Sequence, residues 1–161
     1  MKDNLTLLTS ATLTSLVKTF SGSDLTEQPF AIGKDFNVSE EPVSDLQSLS
    51  GLLKRLTNDP TKTLIRGSPI EGKTNPVLRN KDTFTATPRQ WCMIDIDSLA
   101  WDGDINDQQA TLSYAIQQLP AEFQSVDYWY HFSSSMGIKA GIRVHLWFWL
   151  ERPCSDYEMK A

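Results

Sequence analysis

Two aspartates raise the first chemical question. Asp95 and Asp97 end the apolar run Trp91-Cys92-Met93-Ile94, with Ile96 between them. Side chains on a strand alternate faces, so the two carboxylates share one face while Ile94 and Ile96 point the other way, into a core. Ionised carboxylates this close repel one another, and a shared cation or proton relieves the repulsion. Oxygen ligands with an open coordination sphere suit Mg²⁺ or Mn²⁺, and phosphates usually complete that sphere. The pair reads as a metal site built for phosphate chemistry; the bland alternative is a solvated strand end.

A second stretch answers the first. Residues 142–150 alternate, with Ile142, Val144, Leu146, Phe148 and Leu150 on one face and Arg143, His145, Trp147 and Trp149 on the other. Arg143 and His145 are suited to hold a metal-bound phosphate. Trp147 and Trp149 read as packing rather than as base-stacking platforms. His131, in an earlier aromatic stretch, reads as a strand filler rather than a ligand.

A third stretch competes with both. Gly67-Ser68-Pro69-Ile70-Glu71-Gly72-Lys73-Thr74 matches the P-loop pattern, in which backbone N–H groups cradle phosphate ahead of a helix. Asp95 or Asp97 would then supply its metal-binding carboxylate. Against it, Asn75-Pro76 follows Thr74 with no helical period behind, and Pro69 removes one N–H from the loop. Aspartate-nucleophile phosphatases and sugar-nucleotide transferases also use Asp-x-Asp. The phosphatase class places a glycine shortly after the pair, where Ser98-Leu99-Ala100 stands, and the transferase class leaves the Arg143/His145 strand without a place.

The elements that must position these residues are legible to different degrees. Residues 11–20 read as a Thr/Ser-rich helix, and residues 21–43, with Gly22, Pro29, Gly33 and Pro42, as loop with a short strand near Phe30–Ile32. Ser44 and Gln47 suggest a capping box. Leu46, Leu49, Leu52, Leu53 and Leu56 follow at helical spacing, predicting an amphipathic helix over 45–56 that Asn58-Asp59-Pro60 ends. A short strand over 63–66 leads into the turn-rich segment 67–90. After the Asp95/Asp97 strand come an acidic loop at Asp102-Gly103-Asp104, a helix over 108–119 capped by Asp107, and a strand over 126–132. The small-residue connection 133–141 then leads, hairpin-like, into the Arg143/His145 strand. Ser155 and Asp156 open a further helix that Ala161 cuts off, so the chain reads as the N-terminal part of something longer. Strand, helix, strand, strand from residue 91 onward predicts an α+β fold with a mixed or antiparallel sheet and flanking helices. Residues 1–60 read as a mostly helical and loop lead-in, and 61–161 as the catalytic module, incomplete at its C-terminal end.

Composition narrows the class. The chain is 40% hydrophobic and 22% charged, which suits a globular protein with a real core. No apolar run approaches the roughly 18 residues that span a membrane, and the N-terminus lacks a signal-peptide pattern. Cys92 and Cys154 make no metal-ligand spacing and read as reduced thiols of a cytoplasmic protein. Net charge is −5, but it is unevenly spread. Residues 54–91 carry eight basic and three acidic side chains; residues 92–130 carry seven acidic and none basic. A basic segment beside an acidic metal site fits a polyanionic substrate, though basic runs are often only solvated.

The order of these motifs resembles the archaeo-eukaryotic primase superfamily, in particular the primase-polymerases of phages, plasmids and other mobile elements. Met93-Ile94-Asp95-Ile96-Asp97 stands for its first motif, and the run from Phe132-Ser133-Ser134-Ser135 to Arg143-Val144-His145-Leu146-Trp147 for its second. Arg66-Gly67 ahead of the first motif is also similar. The resemblance spans roughly residues 62–152. Two departures stand out: Arg143 occupies the place of a serine two before the histidine, and the family's third carboxylate has no counterpart on a later strand. The resemblance implies an RRM-like catalytic module performing template-directed nucleotidyl transfer with two divalent metals on Asp95, Asp97 and the missing carboxylate. It implies that His145 contacts the incoming triphosphate. Position adds Arg143, Lys139 and the hydroxyls of Ser133, Ser134 and Ser135 around the nucleotide, and Arg66, Arg79 and Arg89 along the DNA template or primer. A helicase on the same longer chain is an expected partner. The readings from other classes are a P-loop NTPase using Lys73 and a non-catalytic remnant that still binds nucleotide or nucleic acid.

Overall fold

The computed structural model describes residues 2–27 and 34–160; the strand expected near Phe30–Ile32 lies outside them. In chain order the strands are β1 (Asp3–Ser10), β2 (Phe20–Ser21), β3 (Thr26–Glu27), β4 (Asp35–Val43), β5 (Lys62–Ile65), β6 (Ser68–Pro69), β7 (Val77–Leu78), β8 (Phe84–Thr85), β9 (Arg89–Leu99), β10 (Trp129–Phe132) and β11 (Ile142–Cys154). The helices are α1 (Leu46–Leu56), α2 (Gln108–Gln117) and α3 (Ala121–Gln124), with a 3₁₀ turn over Glu158–Lys160. The fold is α+β with mostly antiparallel sheets, as the sequence predicts. The chain divides into two compact units, Met1–Gln90 with Leu150–Ala161, and Trp91–Trp149. The boundary read from the sequence, at 60–61, lies inside the first unit.

The first unit is organised by β1, which the sequence conceals. Leu5, Thr6, Leu7 and Leu8 are all buried, so both faces of the strand are covered and no alternation marks it. It lies between β4 and β5 in a four-stranded sheet of order β5-β1-β4-β7. The helix expected over 11–20 does not form: a turn at Ala11–Thr12 is followed by irregular chain as far as β2. Thr and Ser side chains bond locally here, Ser10 Oγ to Thr12 and Thr12 to Thr14, which competes with helix formation. The loop expected over 21–43 holds β4, paired along all of β1 from Asp3↔Val43 to Ser10↔Phe36. The predicted helix is present, but its cap is Asp45 with Ser48, not Ser44 with Gln47. Asp45 Oδ1 accepts from Ser48 N at 2.6 Å, and the carboxylate outcompetes the neighbouring hydroxyl as a cap.

The second unit is a three-stranded sheet of order β10-β11-β9, accompanied by α2 and α3. The β10–β11 pair is the predicted hairpin, with Trp129↔Trp147, Tyr130↔Leu146, His131↔His145 and Phe132↔Val144 in register. Its apolar face is Ile142, Val144, Leu146 and Phe148, each at most 1% exposed. Phe123 of α3 meets Phe148 edge-on at 4.8 Å. Asp107 caps α2 through Ala110 N, as its position predicts. Trp147 lies on the opposite face yet is 5% exposed, packed 5.6 Å from Trp91. Its end of that face is therefore closed, and the end bearing His145 and Arg143 stays open.

Candidate functional site

The open part of the β9–β11 face carries the chemistry. Met93, Asp95 and Asp97 are exposed along β9, while Ile94 and Ile96, expected in the core, are only half-buried behind them. The neighbouring β11 brings Arg143 and His145 to the same face. Arg143 Nη1 donates to Asp97 Oδ1 in a close ion pair, and His145 Nε2 sits 3.3 Å from Asp95 Oδ1. The result is two acid–base contacts side by side, with carboxylates that remain 58% and 68% exposed at Asp95 and Asp97. Arg143 is mostly covered, and its Nε is buried without a hydrogen-bond partner. A guanidinium NH left dry is costly unless something reaches it.

The chain's own backbone fixes this alignment. Gly141, with φ of +78°, lies against the end of β9: a Cβ there would stand 2.7 Å from Leu99 O and 2.8 Å from Ser98 C. Ser98 itself has φ of +69°, unusual for a residue with a side chain, and its hydroxyl donates to Asp97 O. The strand bearing the carboxylates and the strand bearing the cations thus approach at a point where only glycine fits.

His131 completes the row. Directly across the hairpin from His145, it shares the same face, with ring centroids 6.1 Å apart and planes within 23°. Trp129 stacks on it at 6.2 Å and 11°. Burial, and then the charge of His145, hold its imidazole below the usual histidine range, so it stays neutral where an ordinary histidine begins to protonate. The sequence treated this residue as filler. The missed signal was the hairpin itself, whose short connection sets His131 opposite His145.

The other predicted residues separate by place. Ser133, Ser134, Ser135 and Lys139 form the connection between β10 and β11, with Ser133 N donating to Arg143 O at 3.0 Å. Ser133 and Ser135 hydroxyls bond each other at 3.0 Å and Ser135 is buried, whereas Ser134 and Lys139 are exposed. Arg66, Arg79 and Arg89 belong to the first unit. Arg89 is not available to nucleic acid: at 3% exposed it pairs with Asp3 at 3.1 Å and donates to Arg66 O, Thr6 Oγ1 and Ser68 Oγ. A side chain holding that buried network cannot also reach a phosphate backbone. Arg66 is engaged with Asp156 at 2.7 Å and with Cys154 O. Arg79 and Lys81 are exposed and line an open cleft of about 270 Å³ with Phe84, Thr85 and Asp156.

The P-loop alternative meets a different structure. The element directly after Thr74 is not a helix but the short strand β7. Asn75 instead brackets Val38 of β4, accepting from its N at 3.0 Å and donating to its O at 3.2 Å, and β7 continues the pairing with Phe36↔Val77. Pro69 is taken into the β6–β8 ribbon, and a Cβ on Gly67 would stand 2.9 Å from Thr85 O. The glycine serves strand approach, and the segment after Lys73 is edge strand.

For a metal, Asp95 and Asp97 offer hard oxygen donors open to solvent, which fits Mg²⁺ or Mn²⁺ with water and phosphate filling the sphere. Among the described residues no group of three or more His, Cys, Asp or Glu side chains is arranged to hold a metal alone. No disulfide joins Cys92 and Cys154. No helix among the described residues is long and apolar enough to cross a membrane.

Comparison with known proteins returns a likeness to a phage replication protein. The chain is 29% identical over 143 residues to a protein of Escherichia phage T5 named "Putative replication origin binding protein". The match covers 82% of this chain and 15% of the phage protein, so the chain spans a small part of that relative's length. No family model and no solved structure matches the chain.

Proposed function

We propose that residues 91–149 carry the nucleotide-binding face of a DNA primase-polymerase, serving template-directed nucleotidyl transfer in the replication of a phage, plasmid or other mobile element. The observation that carries this reading is that adjacent strands β9 and β11 set Asp95 and Asp97 against His145 and Arg143 on one open face. Carboxylates for a cation beside a histidine for the triphosphate is the arrangement the primase resemblance implies, with its RRM-like module; Arg143 departs from that family's pattern and is added from its position. The likeness to the T5 protein supports a replication setting.

In this reading Asp95 and Asp97 hold Mg²⁺ or Mn²⁺, which when bound offsets phosphate charge and favours attack by a 3′ hydroxyl. His145 binds and orients the triphosphate. Arg143, paired with Asp97 on the same face, supplies a guanidinium for a phosphate oxygen. Lys139 and Ser134 border the nucleotide at the hairpin end. Arg79, and Arg66 if released from Asp156, take the backbone of a DNA template. A helicase on a longer chain remains the expected partner.

The test is Mn²⁺-dependent binding of labelled ATP and dATP to the wild type and to Asp95→Ala, His145→Ala and Lys73→Ala. Binding lost with Asp95 and His145 but kept without Lys73 supports the reading. Binding that depends on Lys73 alone sinks it. A second reading, DNA binding without nucleotidyl transfer, draws on the Arg79/Lys81 cleft and on the T5 protein's name. It gains if folded wild type binds DNA through those cations and no triphosphate.

A further inference from the structure

We propose that His131 is a second phosphate-contacting imidazole of the nucleotide site, engaged by the terminal phosphates of a nucleoside triphosphate beside His145. The inference rests on the nucleotide reading of the β9–β11 face and extends that face to β10. Three observations carry it. First, register sets His131 directly across from His145, and His145 Nε2 lies 3.3 Å from Asp95 Oδ1, so the three side chains follow one another across three neighbouring strands. Second, two near-parallel rings flank it, Trp129 along the strand and His145 across the hairpin, which restricts its orientation and leaves less rotamer freedom to lose on binding. Third, its nitrogens have no hydrogen-bond or ion-pair partner among the described residues, and neither is sealed from solvent as Arg143 Nε is. A half-buried imidazole flanked by two rings and with nitrogens not sealed from solvent is suited to offer an N–H edge-on. Phosphate oxygens are strong acceptors for such a donor. Burial holds this imidazole below the usual histidine range, so it contributes direction rather than charge.

The experiment compares wild type with His131→Phe, His131→Gln and His145→Ala, each first shown to be folded by its amide NMR spectrum. Phe keeps the ring stack and loses the donor; Gln keeps a donor and loses the stack. Affinities for labelled ATP and for AMP are measured with Mn²⁺. His131→Phe is expected to weaken ATP binding about tenfold, the scale of one hydrogen bond to a charged group, and to leave AMP binding unchanged. His131→Gln is expected to restore most of the ATP affinity. In wild type, the ¹⁵N resonances of the His131 ring should shift with ATP and not with AMP. If His145→Ala abolishes ATP binding while His131→Phe binds as wild type, this inference fails and the nucleotide reading stands. Equal losses for ATP and AMP, or no rescue by Gln, also overturn it, because the ring would then act only through packing. If folded wild type binds no ATP, both fall together.

Discussion

Arginine does three different jobs in this chain, and burial separates them. Arg89 is the interior one. Its pair with Asp3 is 3% and 12% exposed, and Asp3 also accepts from Gln90 N at 2.6 Å. Removing one partner of such a pair strands the other, at a cost of about 3–5 kcal/mol. Arg89→Met should therefore lower the urea midpoint of unfolding sharply, and any loss of DNA affinity should track the unfolded fraction. Arg143 is the poised one. It holds Asp97, which is 68% exposed, so the pair is worth little by itself and competes with any cation. Arg143→Ala should tighten Mn²⁺ binding roughly fivefold without nucleotide, the scale of an exposed ion pair, and weaken triphosphate binding. Mn²⁺ titration followed by EPR reads the first effect; unchanged Mn²⁺ affinity would remove Arg143 from the site. Arg79, exposed at the first unit's cleft, is the outward one. The sequence marked all three as candidates for phosphate. It could not show which was buried, because burial of Arg89 depends on β1, a strand some eighty residues earlier whose buried run Leu5–Leu8 includes Thr6 and shows no clean alternation.

At the scale of elements, the strands with alternating faces were legible; β1, buried on both faces over Leu5–Leu8, and β4, polar and mostly exposed, were not. β9 and β11 announced themselves through Asp95/Asp97 and Arg143/His145; β1 and β4 did not. The meeting of β9 and the hairpin is the most sensitive joint. Gly141→Ala places a Cβ against Leu99 O and Ser98 C at a left-handed φ, at a cost of about 1–3 kcal/mol. Chemical-shift changes should centre on Arg143 and Asp97; a silent substitution would mean that the two strands approach less closely there. Entry into β5 offers a pH test. The Thr61 hydroxyl, at 2.6 Å, and then Lys62 hold the Asp59 carboxyl down to about 2. A folded value depressed below the unfolded one contributes stability that is fully present above the ordinary aspartate range and is lost as pH falls through about 2. Carboxyl ¹³C titration should find Asp59 near that value in the wild type and clearly higher in Thr61→Ala.

Across the whole molecule, charge and chain order decide what a nucleic acid meets. The net charge of −5 disfavours indiscriminate DNA binding, so any affinity must come from a few placed cations. Arg79 and Lys81 are the exposed pair at the first unit's cleft. Replacing both by Ala should reduce the slope of log K against log salt for duplex DNA by roughly 2, about 0.9 for each phosphate no longer neutralised. An unchanged slope would place the cations that meet the backbone elsewhere. The chain order has its own outcome. Residues 150–161 belong with the first unit, where Asp156 receives Arg66 at 2.7 Å and Glu151 O accepts from Gln90 Nε2 at 3.3 Å. The whole of Trp91–Trp149 is interposed between those partners. On a translating ribosome the first unit therefore emerges first and is finished last: it waits, missing its closing strand end, until the entire second unit has cleared the exit tunnel.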